Sequence, residues 1–91
     1  MQTEAIAGLI EQRKQFLHFV ENRVSSHATA EDIIQAAYIR AIEKASTLHK
    51  DESAVAWFYR ILRNAVIDHY RHRAAEDRAL EQWAKDLITE T

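Results

Sequence analysis

A single glycine, Gly8, and no proline occur in these 91 residues. Tight turns and hairpins lean on those two residue types, glycine for positive φ and proline for a preset φ. A turn-rich β-sandwich or a glycine-looped nucleotide fold is therefore close to excluded. Helices joined by short polar connections remain. The length sets a limit of one domain. With 47% hydrophobic and 29% charged residues, the chain is too apolar for a disordered segment. A chain of this size buries roughly 60–65% of its unfolded surface, enough for one modest core.

The apolar residues fall into helical stripes. Ile6, Leu9, Ile10, Leu17, Val20 and Val24 follow the i, i+3, i+4, i+7 rule, interrupted only by Arg13, and predict a first helix over 3–24. Thr29, with Asp32 three residues on, reads as an N-cap. It predicts a second helix from Ala30 to about Ser46 with Ile34, Ala37, Tyr38, Ala41, Ile42 and Ala45 inward. The opposite face, Asp32, Gln35, Ala36, Ile39, Arg40 and Glu43, is polar around a central Ile39. Asp51 or Ser53 can cap a third helix, expected from Ala54 to about Arg73. Its inner stripe is Val55, Phe58, Leu62, Ala65, Val66 and His69, and its outer one Trp57, Arg60, Asn64, Ile67, Asp68 and Arg71. Residues 74–91 have high helix propensity. Leu80, Trp83 and Leu87 there predict a fourth helix or an extension of the third, partly docked through Trp83.

Charge is unevenly spread. Residues 59–75 carry Arg60, Arg63, Arg71 and Arg73 against Asp68 alone, a block of +3 in a chain that is otherwise −5. A basic helix face in an acidic chain suggests a polyanion-facing surface.

Two stretches resemble a known family. Ala30-Glu31-Asp32-Ile33-Ile34-Gln35-Ala36-Ala37-Tyr38-Ile39-Arg40-Ala41 is one. Ala56-Trp57-Phe58-Tyr59-Arg60-Ile61-Leu62-Arg63-Asn64, followed by Asp68 and Arg71, is the other. In order and spacing they resemble region 2 of bacterial sigma factors of the extracytoplasmic-function type, over about two-thirds of the chain, from Phe16 to Arg73. The resemblance implies an all-α fold: a three-helix region 2 bundle over residues 1–73. Residues 74–91 would then begin the linker toward region 4, which nothing in these residues resembles. Ala36 stands where the family usually has an acidic residue that helps hold polymerase.

The resemblance also implies partners. Asp32, Gln35, Ile39 and Glu43 would meet the clamp helices of the largest subunit of core RNA polymerase. The third helix and the loop before it would hold the single-stranded minus-ten element of promoter DNA. The residues expected to do so are Arg40, Lys50, Trp57, Tyr59, Arg60, Arg63, Asn64, Arg71 and Arg73. Arginines suit phosphate, asparagine a base edge, and aromatic rings an unpaired base. Asp68, which repels phosphate, is expected to orient Asn64 or Arg71. An anti-sigma factor is a further implied partner. The other reading of the same bundle is an interaction module bound by such a regulator without DNA.

Other function classes have little support. There is no cysteine, hence no disulfide framework or zinc-thiolate site. His69 and His72 have ligand spacing but no evident third ligand. No nucleophile has an evident base, so neither catalysis, a metal nor a cofactor is expected. No run approaches the ~18 apolar residues of a membrane span. Nothing at the start has the layout of a signal peptide. The expectation is a small cytoplasmic protein with no membrane insertion.

Overall fold

The computed structural model describes residues 2–49 and 52–89. They form four α-helices and no strand: α1 (Gln2–Glu11), α2 (Arg13–Glu21), α3 (His27–Glu43) and α4 (Ala54–Thr89), with a 3₁₀ turn at Ala45–Thr47. α3 lies along α4, and α1 and α2 close the other side.

The first expected helix is two. The chain breaks at Gln12, whose N–H turns back to the Leu9 carbonyl at 3.2 Å. Just past the break, Arg13 stays 44% exposed and pairs with Glu31 of α3. Leu9 and Phe16, on either side, are both buried.

α3 starts earlier than Thr29 suggested. Ser26 is extended and its hydroxyl accepts from the Thr29 N–H at 3.0 Å, so it is the N-cap. Thr29 instead exchanges a hydroxyl–hydroxyl bond with Ser26 at 2.7 Å. Ser53 caps α4, accepting from the Ala56 N–H at 3.3 Å. α4 does not stop near Arg73. It runs unbroken for 36 residues, about 54 Å at 1.5 Å per residue. The longest molecular dimension is accordingly 62 Å against 24 and 15 Å.

The core is an aromatic file across three helices. Phe16 of α2 packs on Phe58 of α4 with ring centroids 4.6 Å apart. Tyr38 of α3 stacks on the other side of Phe58 at 4.9 Å. Tyr59 meets the edges of Phe16 and Phe19 at 5.1 and 5.2 Å. Each such pair contributes about 0.5–1.5 kcal/mol beyond its buried area. Leu9, Val20, Ile33, Ile34, Ile61, Leu62 and Val66 fill the rest. The Tyr38 hydroxyl donates to the Leu9 carbonyl at 3.1 Å, satisfying an acceptor in the last turn of α1. Burial pushes the Tyr38 phenol up from its ordinary value, with Arg13 pulling weakly the other way.

Candidate nucleic-acid interface

The outer face of α4 follows from what its inner face buries. Phe58, Leu62 and Ala65 point into the bundle. At 3.6 residues per turn this leaves Arg60, Arg63, Asn64, Ile67 and Arg71 outward, and all five are exposed. The expected basic face is thus continuous over three turns. Among the described residues Arg63 and Arg71 carry no ion pair, whereas Arg60 pairs with Glu52 just before the helix.

Arg40 joins this face from α3. Its Nη1 lies 2.9 Å from Oδ2 of Asp68, with both side chains about two-fifths exposed. Asp68 therefore restrains Arg40, not Asn64 or Arg71. The pair closes one wall of a shallow groove between α3 and α4 lined by Arg40, Lys44, Asn64, Ile67, Asp68 and Arg71. Lys44 is an addition. It follows α3, and only the packing of that helix on α4 brings it beside Asn64.

Three expected contacts are elsewhere. Trp57 is 5% exposed and belongs to the core, so its ring is not offered to a base. The expected outer stripe therefore loses Trp57, because the bundle covers more of α4 than one narrow stripe. Tyr59 is half-buried against Phe16 and Phe19. Arg73 is exposed but turned away from Arg71, in a polar groove with Ser25, Thr29, His69, His72 and Glu76. Residues two apart on a helix differ by about 200° in direction, which separates the two arginines. Lys50 lies outside the described residues. His72 Nδ1 faces the Asp68 carbonyl at 2.9 Å. No group of three potential ligands that could hold a metal occurs among the described residues.

A second surface lies on α3. Asp32, Gln35, Ile39 and Glu43 are all exposed, with Ile39 at 58%. Ile42, expected inward, is 63% exposed. Position 42 is one residue past the buried Ala41, and Ala45 of the 3₁₀ turn takes the inward place that follows. Ile39 and Ile42, three apart, make an apolar pair on one helix surface between acidic ends at Asp32 and Glu43.

One family profile spans most of these helices. The family described as Sigma-70 region 2 matches residues 9–76. The chain belongs to the sigma-70 region 2 family. This region 2 chain is also similar to a probable RNA polymerase sigma factor of Haemophilus influenzae, 30% identical over 61 residues. That match takes in 67% of this chain and 31% of the relative. To the RNA polymerase sigma factor SigZ of Bacillus subtilis it is 25% identical over 59 residues, 65% of this chain and 34% of that one. The chain thus spans about a third of the length of these relatives. No solved structure matches it significantly. None of its described helices is long and apolar enough to cross a membrane.

Proposed function

We propose that this region 2 domain is the promoter-recognition module of an RNA polymerase sigma factor and catalyses no reaction. It docks on the clamp helices of core polymerase through α3 and captures the non-template minus-ten strand on α4. The observation that carries this reading is the exposed face Arg60, Arg63, Asn64 and Arg71, two of whose arginines have no carboxylate partner among the described residues. Arg63, Arg71 and Lys44 suit strand phosphates, and Asn64 suits a base edge. Holding an extruded base offsets part of the few kcal/mol needed to unstack it. On α3, an apolar centre of Ile39 and Ile42 inside a polar rim fits a protein partner. Residues 74–89, which leave the bundle, are read as the start of a linker.

A second reading is a regulator-binding module without DNA, with an anti-sigma factor on these same faces. It draws on the pairing of Arg60 and Arg40 with Glu52 and Asp68, which neutralises part of the basic face. Fluorescence anisotropy with matched single- and double-stranded minus-ten DNA separates the two. The first reading expects tighter single-strand binding that falls with salt by about 0.7 log unit per log unit of salt for each phosphate engaged. Equal or tighter duplex binding refutes strand capture. Binding of polymerase with no binding of either DNA form favours the second reading.

A further inference from the structure

The half of α4 beyond Arg73 leaves the bundle, and none of its residues enters the core. It nevertheless has an apolar side. Leu80, Trp83 and Leu87 are 61, 63 and 46% exposed, and their i, i+3, i+7 spacing puts them on one surface of the helix. The expected docking of Trp83 on the bundle does not occur, because a straight helix carries the ring away from it.

The charges nearest this stripe are acidic. Glu76 continues it on the bundle side, one turn before Leu80. Asp77 and Asp86 flank it on either side, each about 90° from its centre at 3.6 residues per turn. The bases of the same stretch, Arg78 and Lys85, lie about 170° away, on the back, with Glu81 beside them at about 130°. Among the described residues the Asp86 carboxylate accepts an amide bond from Gln82 at 3.1 Å and has no basic partner. An apolar centre with an acidic rim and its bases behind has a definite complement.

We propose that this stripe is a docking surface for a basic amphipathic helix of another protein. A second copy of the chain fits worse. Two such stripes would set acidic rim against acidic rim, a like-charge arrangement that disfavours pairing. Three apolar side chains over two turns hold any occupant to far less than the ~1,200 Å² that a stable interface buries, so the contact is weak. Nucleic acid is repelled by the same rim. A basic helix places its lysines or arginines against Glu76, Asp77 and Asp86 while its apolar side covers Trp83, in a weak contact assisted by charge.

The test uses the full chain and a synthetic 18-residue peptide of leucines and lysines at helical spacing. Trp57 is buried, so the change in emission and in acrylamide quenching reports Trp83. The expected result is a blue shift with a Kd between roughly 1 µM and 1 mM, weakening as salt rises. Leu80→Ala weakens it about tenfold with unchanged helix content by circular dichroism. The triple variant Glu76→Lys, Asp77→Lys, Asp86→Lys should reverse the preference toward a leucine–glutamate peptide. No shift up to millimolar peptide overturns the proposal. So does equal binding of a scrambled peptide of the same composition, which is charge attraction alone. Sedimentation of the chain alone as a dimer with Trp83 shielded also overturns it, by making the occupant a second copy.

Discussion

Tyr38→Phe isolates one atom that ties α3 to α1. The ring is kept, so the stack on Phe58 at 4.9 Å survives. What goes is the hydroxyl bond to the Leu9 carbonyl at 3.1 Å. An intramolecular hydrogen bond is worth about 0.5–1.5 kcal/mol net. The carbonyl is not orphaned, because the Gln12 N–H still reaches it at 3.2 Å, so the expected loss is about 1 kcal/mol. For a domain of this size that lowers Tm by about 4–8 °C. The cost also depends on pH. Burial raises the folded-state pKa of Tyr38. Its contribution is therefore fully present below the unfolded value of about 10 and is lost as pH rises through the folded value. Phenylalanine cannot titrate, so the gap between wild type and variant should hold below pH 10 and narrow as pH rises above about 10. The other tyrosines are common to both proteins and cancel. Thermal unfolding followed by circular dichroism at several pH values measures this. An unchanged Tm at neutral pH, or a gap that stays constant across pH 10, refutes the reasoning.

Gly8→Ala should stabilise the chain by about 0.4–1 kcal/mol, since Gly8 is helical and an added Cβ meets nothing within 4 Å; urea unfolding reads the gain. Ile39→Glu and Ile42→Glu should each change stability by no more than about 0.5 kcal/mol yet weaken capture of core polymerase in a pull-down, and unfolding would place either residue in the core. Asp68→Asn releases Arg40 from a surface pair worth about 0–1 kcal/mol, so anisotropy should find single-strand affinity raised by up to about fivefold; a fall in affinity would make the pair a support of the site. Trp83→Ala should leave Tm of the isolated chain unchanged, with the wild-type indole emitting as in water.

What could be read from the sequence divides along physical lines. The helical class follows from Gly8 standing alone and from the stripes. The basic face of α4 follows from Arg60, Asn64 and Arg71 recurring at helical spacing, a regularity written into the chain. Features set by competition between near-equal local choices do not show. Ser26 and Thr29 are both good caps, and only the fold selects Ser26. The break at Gln12 has no glycine or proline to mark it. Just past it, Arg13 pairs with Glu31, 18 positions on, a contact that no local pattern announces. The width of helix contact is also invisible along a single stripe. It buries Trp57, which lies off the central inner line, and the turn after α3 leaves Ile42 outside. Lys44 stands four residues after Arg40, a spacing that could have joined it to the same surface, while its nearness to Asn64 comes from the packing of α3 on α4.

The unbroken course of α4 makes the helix a ruler. Asn64 and Trp83 are joined by 19 residues of one helix, about 29 Å along the axis and about 100° around it at standard geometry. Whatever meets the outer face near Asn64 and whatever meets the stripe at Trp83 are held at that separation and phase, with no hinge between them. Inserting one alanine after Ala75 should advance the stripe by about 1.5 Å and rotate it by about 100°, moving it out of phase without altering a residue of either surface. Four inserted alanines restore the phase to within about 40° while lengthening the arm by about 6 Å. The spacing between the two surfaces can thus be tuned separately from their chemistry.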